Sequence, residues 1–268
     1  MSERVSVQIA GHVADVRLNR ADKLNALDYA MFEALVETGR ELATRKGIRA
    51  VVLSGNGRAF SAGLDFASFM AMAASGEAGP SLFDRTSRSP ANMAQAAGYV
   101  WKELPVPVVA AVHGVCYGGG LQIVAGADIR IVHPEAKLSI REMYWGLVPD
   151  MSGTRTLKHL LRQDVLKELT YTARIVSGTE AVALGLCTRA SDDPHAAAME
   201  LAAQIAASSP TTMRAAKKLL DQAYLIPDDE TGLALEEELQ RGLLGTPNQI
   251  EAVQANLEKR PAGFSDPE

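Results

Sequence analysis

Residues 106–132 read VPVVAAVHGVCYGGGLQIVAGADIRIV. The run 106–112 is short, apolar and rich in valine, and it is held between Pro107 and Gly114, which predicts a buried strand. Gly118, Gly119 and Gly120 then turn the chain into a short apolar helix over 121–125, and 129–132 predicts another strand. Strand, glycine turn, helix and strand in succession point to an α/β fold. The same alternation opens the chain. Residues 4–9 and 12–18 flank Ala10-Gly11 and predict a hairpin. Asp28 is placed to cap a helix on which Met31, Ala34, Leu35, Thr38 and Leu42 share one face. Gly47 ends that helix, 50–53 is a short buried strand, and Ser54-Gly55-Asn56-Gly57 is a loop. From about Thr154 onward the pattern is nearly all helical, with helices over 164–171, 179–184, 194–207, 211–224, 230–244 and 248–258. Residues 68–100 combine Met70, Met72 and Met93 with the breakers Gly76, Gly79, Pro80 and Pro90, and read as a mobile, partly helical segment.

Composition narrows the function. The 268 residues carry 27 Lys+Arg against 32 Asp+Glu, a net charge of −5, and only 5% are aromatic. Small aliphatic side chains must therefore build the core. No apolar run approaches the ~18–20 residues of a membrane span. The start, MSERVSVQIAG, has no basic patch followed by an apolar stretch, which argues against a secretory signal. Two cysteines, Cys116 and Cys187, make neither a disulfide framework nor a four-thiolate zinc site, and they fit a reducing cytoplasm. The mild acidity argues against general nucleic-acid binding.

Three segments could carry chemistry. The loops GNGRAFSAG at 55–63 and GVCYGGG at 114–120 fit neither a dinucleotide fingerprint nor a P-loop. Each follows a strand with glycines and then a helix start, a geometry that leaves backbone N–H donors free for an oxyanion; two sterically tight turns are the alternative. Ser61 in AFSAG approximates a nucleophile elbow, with His113, His133 or His159 as its base. The segment KLSIREMYWGLVPDMSG at 137–153 sets Glu142 and Asp150 among apolar neighbours, whose desolvation would make a carboxylate a better base. The five histidines, including His12 and His195, lack metal-ligand spacing.

Taken together, RADKLNALD at 20–28, FSAGLD at 60–65, the glycine run at 113–122, EMYWGLVPDMSGT at 142–154 and LEKRPAGF at 257–264 resemble the crotonase superfamily, the enoyl-CoA hydratases and isomerases. The resemblance spans the chain and implies an α/β, crotonase-like spiral of ββα units. It implies a core with the active site over 1–200 and a C-terminal helical region over 201–268 that covers the site and builds a homotrimer or a dimer of trimers. It implies an oxyanion hole from the N–H groups of Ala62 and Gly119, which would hold an acyl-CoA thioester oxygen as it becomes an enolate. Leu24, Ala26, Gly63, Leu64 and Asp65 match positions along the CoA path.

The acid/base positions set the reaction that this resemblance implies. Hydratases carry one Glu at the position of Glu142 and another where this chain has Gln122. An amide takes up no proton at neutral pH. The simple isomerases work with one Glu at the Glu142 position, and Asp150 matches a catalytic Asp of the dienoyl-CoA isomerases. Double-bond isomerisation of fatty acyl-CoA, as in β-oxidation, is therefore expected over hydration. True hydration and a non-catalytic acyl-CoA binder are the alternatives. No metal or other cofactor is expected, because CoA arrives with the substrate. Arg141 stands where the family has Pro. RNA binding, known on this fold, would call for a row of lysines after Asp28, and only Arg40, Arg45 and Lys46 are present. Residues 66–100 are expected to set the acyl chain, and Arg20, Lys23, Arg58, Lys259 and Arg260 are the candidate contacts for CoA phosphates.

Overall fold

The structure, a computed structural model, describes residues 3–75, 81–85 and 89–267. The expected breakers Gly76, Gly79 and Pro80 lie outside the described residues. Strands β1 (Val5–Ala10) and β2 (Val13–Leu18) form the hairpin, turning at Gly11 with φ +57°. Helix α1 (Tyr29–Thr44) starts where expected: the Asp28 side chain accepts the Met31 N–H at 2.9 Å. It ends at Thr44, before Gly47, and leads to β3 (Ala50–Gly55). The segment expected to be partly helical holds α2 (Phe66–Ser75) and α3 (Met93–Glu103). The fold-deciding stretch supplies β4 (Val108–Val112), β5 (Val115–Tyr117), α4 (Gly119–Ala125) and β6 (Ile129–Val132). Beyond it come β7 (Lys137–Ser139), a 3-10 turn over Glu142–Trp145, and α5 (Gly153–Thr156). Then follow α6 (Gln163–Thr172), β8 (Val176–Ser177), α7 (Gly178–Ala183) and β9 (Arg189–Ala190). The chain closes with α8 (Pro194–Ala206), α9 (Pro210–Ala223), α10 (Asp229–Leu243) and α11 (Pro247–Glu258).

Six strands form one sheet in the order β1-β2-β3-β4-β6-β9, parallel except for the opening hairpin. Its central strands read as unbroken apolar runs because both faces are covered. Val51, Leu53, Val108, Ala110 and Val112 belong to the larger core with α1, α3 and α4, whereas Val52, Val109, Ala111 and Ile131 meet α8. Helix α8 presents Ala198, Ala202 and Ala206 at four-residue spacing, and these small side chains let it lie close on the strands. The expected boundary at 200/201 falls inside this helix, which belongs to the sheet's packing. The helices that leave the sheet begin at α9.

A second sheet, β5-β7-β8, stands beside the first. Ser61 bridges to Cys116 in β5, and Leu64 bridges to Leu27. These two bridges fix the loop 61–65 between β5, which leads into α4, and the residues just before α1. Helices α10 and α11 pack against α9 and leave Leu220, Tyr224, Leu233, Leu244 and Leu257 exposed. The chain's end returns to the core, where Arg49 donates to Asp266 at 2.6 Å and to the Phe264 carbonyl at 3.0 Å.

Candidate active site

The loop 61–65 accounts for its backbone donors almost completely. Ser61 N–H donates to the Val115 carbonyl, Ala62 N–H to the Leu24 carbonyl at 2.9 Å, Gly63 N–H to Ser61 Oγ, and Asp65 N–H to the Leu27 carbonyl. Among the described residues only Leu64 of this loop has an N–H without an acceptor. The expected oxyanion donor Ala62 is therefore corrected: its N–H is occupied, and the free donor lies two residues on. Gly119 opens α4, so its N–H is one of the orphans of a helix start, and no acceptor among the described residues meets it. The two turns touch. Gly63 has φ +88°, and a Cβ there would lie 2.8 Å from the Tyr117 carbonyl oxygen and 3.8 Å from Gly119 N, so only glycine fits.

A cavity of about 280 Å³ opens between these turns. Ala62, Gly63, Leu64, Gly118 and Gly119 line one side; Phe32, Phe66, Leu82, Trp145 and Met151 give it apolar walls, with Phe66 and Trp145 in ring contact at 4.5 Å. Glu142 and Asp150 are its carboxylates. Leu24, Ala26 and Asp65 do not line it. Leu24 serves the loop through its carbonyl. Asp65 caps α2 by accepting from Ser68 N and Oγ, and it pairs with Arg20 at 2.6 Å. Burial alone would raise Asp65, but the bonds from Ser68 and Arg20 outweigh it and hold the carboxyl at about 2. Arg20 also lies 3.5 Å from Asp28, so this candidate for a CoA phosphate is occupied within the protein.

Glu142 is 8% exposed at the start of its 3-10 turn. Its Oε1 accepts from Gln122 Nε2 at 2.5 Å, and its Oε2 has no hydrogen-bond partner among the described residues. Gln122 is in turn held by chemistry: its Oε1 accepts the N–H groups of Met151 at 2.9 Å and Gly153 at 3.0 Å. Two N–H donors demand the oxygen there, so the amide nitrogen must face Glu142. Burial pushes the Glu142 carboxyl above the ordinary glutamate value; the bonds from its own backbone and Gln122 oppose this, and the charge of Asp150 adds to it. Burial likewise raises Asp150, although it is open to solvent. Arg141 also lines the cavity, and its guanidinium stacks on Tyr144 at 4.1 Å and donates to the Ala173 carbonyl at 3.0 Å.

The competing readings lose their geometry. Ser61 is fully buried, and its Oγ donates to the Asn25 carbonyl at 2.8 Å with no histidine beside it. His113, the nearest candidate in sequence, bonds the Gly57 carbonyl instead. Among the described residues no group of three or more His, Cys, Asp or Glu is placed to hold a metal ion, and no helix is long and apolar enough to cross a membrane. What remains is two backbone donors facing an apolar cavity, with one buried carboxyl whose free oxygen points to proton transfer.

Comparison with known proteins follows the same lines. The model of the Enoyl-CoA hydratase/isomerase family matches residues 8–267. The chain is 34% identical to the mitochondrial Delta(3,5)-Delta(2,4)-dienoyl-CoA isomerase of Mus musculus, over 95% of this chain and 80% of that protein. It is 32% identical to the mitochondrial methylglutaconyl-CoA hydratase of Mus musculus, over 92% of this chain and 77% of that protein. Its fold is similar to the crystal structure of an enoyl-CoA hydratase from Bacillus anthracis, with a TM-score of 0.85 and 29% identity over 97% of this chain and 98% of that one.

Proposed function

The chain belongs to the enoyl-CoA hydratase/isomerase family, and we propose that within it this protein moves a carbon–carbon double bond in unsaturated acyl-CoA thioesters. The thioester oxygen sits between the N–H groups of Leu64 and Gly119. Glu142 Oε2 removes a proton from the carbon beside the thioester, and the electron pair moves onto that oxygen as an enolate. Protonation farther along the conjugated system, by Glu142 or by Asp150, leaves the double bond shifted. Two backbone donors suit this step because charge builds on the oxygen only as the proton leaves; losing one such donor costs ~3–4 kcal/mol of transition-state stabilisation.

The observation that carries isomerisation over hydration is the Gln122 clamp. Hydration across a double bond is served by a second carboxylate holding water, and at this position an amide is pinned by Met151 and Gly153 and turned onto Glu142. Asp150 keeps hydration as the second reading, because it lines the same cavity and is raised in the same direction. The reaction needs no metal or redox group, since CoA supplies the activation through its thioester. The protein acts in the cytoplasm as a trimer or dimer of trimers, through the exposed apolar side chains of α9–α11.

Purified protein offered 2-enoyl-, 3-enoyl- and 3,5-dienoyl-CoA, followed by absorbance and product analysis, decides the matter. Fast turnover of 3-enoyl- or 3,5-dienoyl-CoA is expected. Faster hydration of 2-enoyl-CoA would reverse the preference.

A further inference from the structure

Asp150 lines not one cavity but two. Beyond it lies a second chamber of about 450 Å³, walled by Arg85, Gln95, Tyr99, Ser152 and Arg155 together with Pro90 and Thr154. The first cavity is an apolar slot and the second is the more polar of the two, with apolar Pro90, Ala91 and Pro149 still on its wall. A chain that runs through the first and continues past Asp150 leaves hydrocarbon surroundings for guanidinium and hydroxyl groups.

Three features say what that chain should carry at its end. First, the side chains of Arg85 and Arg155 form no ion pair or hydrogen bond among the described residues, whereas Arg17, Arg20, Arg49, Arg174 and Arg260 are all paired with carboxylates. Each unpaired guanidinium lining the chamber can offer a carboxylate its own planar fork of donors. Second, Ser152 is 8% exposed, and its buried Oγ has no hydrogen-bond partner among the described residues. A buried hydroxyl is normally satisfied; this one faces Gly98 of α3, and turning it toward the chamber would give it a ligand atom as partner. Third, neither guanidinium is engaged by Asp150, whose carboxyl is raised by burial without relief from a cation.

We propose that this chamber receives a carboxylate at the far end of the acyl chain, so that the preferred substrate is the CoA thioester of an unsaturated dicarboxylic acid. Arg85 and Arg155 hold the carboxylate, Ser152 Oγ donates to it, and the two positive charges outnumber that of Asp150. The inference rests on the acyl-CoA reading above.

The test compares pairs of unsaturated CoA thioesters of matched chain length that end in either methyl or carboxylate. Wild type and the Arg85→Gln/Arg155→Gln double variant are both measured. The wild-type kcat/KM should favour the carboxylate ester by about tenfold or more, and the double variant should bring the ratio close to one. Both arginines are exposed, so folding of the variant is not at stake. A wild type that handles the methyl ester as well, or a ratio unchanged in the double variant, overturns the chamber's assignment and leaves the isomerase reading intact. If the esters bind without turnover, the same ratio is read from their Kd values. If wild type neither binds nor turns over either ester, both proposals fall.

Discussion

Glu142 combines burial, an unpartnered Oε2 and a carboxyl raised by desolvation, so its removal should separate stability from activity. Replacing a general base costs about 10²–10⁴-fold in rate, and Glu142→Gln should lose kcat on that scale. The same change should stabilise the fold. A carboxyl raised by folding favours the native state at low pH, and that contribution is lost as pH rises through the raised value. At pH 8 the wild type bears an ionised buried group that the amide lacks, so Glu142→Gln should melt higher, by a few degrees. The difference should vanish in acid, below the ordinary glutamate value. Calorimetry across pH checks this, and an equal or lower Tm at pH 8 would contradict it. Gln122→Glu makes the complementary point. It would retain an oxygen for the Met151 and Gly153 N–H groups but set a second carboxylate 2.5 Å from Glu142 Oε1, in place of a donor. Two carboxylates at that separation cannot both ionise easily, so the rate should rise with pH later than in wild type. A pH–rate profile reads that shift directly.

At the scale of elements, the site depends on how closely α3 and α4 approach. A Cβ on Gly126 would collide with the Gly98 carbonyl oxygen, and one on Gly98 would lie 2.8 Å from the Met151 carbonyl, beside the N–H that holds Gln122. Gly126→Ala should therefore cost about 1–3 kcal/mol of stability. At ~2–4 °C per kcal/mol for a chain of this size, thermal unfolding will show it. Much of this framework was legible beforehand. The valine run 106–112, the Asp28 cap and the apolar periodicity of α1 each announced their element, because burial on one or both faces leaves a pattern. The second sheet was not legible: β5 and β7 have three residues each and β8 has two, too few for any period to emerge. Within the site, the side chains Glu142, Asp150 and Gln122 could be named from the sequence. The donor in the loop 61–65 was placed two residues early, because which N–H stays free depends on where the carbonyls of Leu24 and Leu27 end up. Leu24 holds Ala62 through φ +50°, a conformation its own sequence does not advertise.

For the whole molecule, two surfaces govern how the fold persists in solution. Leu220, Tyr224, Leu225, Leu233, Leu244 and Leu257 stand exposed on or beside α9–α11 at levels from 54% to 79%. Exposed apolar patches of this kind mark association sites. Sedimentation velocity should find trimers or hexamers, and Leu220→Glu with Leu233→Glu should give monomers. The other surface is the chain's end, which satisfies the Arg49 guanidinium through Asp266 and the Phe264 carbonyl. Arg49 is itself buried, so truncation after Glu258 strips a desolvated charge of its carboxylate and leaves it, among the described residues, only the Ala206 carbonyl. The truncated protein should melt several degrees lower while its active-site cavity keeps every residue.

The free N–H of Leu64 belongs to the peptide backbone, and no amino-acid replacement at position 64 other than proline removes it. The gene therefore has no direct access to this donor. Selection can act on it only through neighbours: the glycine at 63 that turns the chain, the hydroxyl of Ser61 that occupies the adjacent N–H, and the carbonyls of Leu24 and Leu27. Position 64 is free to explore side chains that reshape the cavity wall while the electrostatics of the reaction stay constant. Substrate range and rate acceleration are thus inherited through different residues, and a lineage built on this fold can change one without first losing the other.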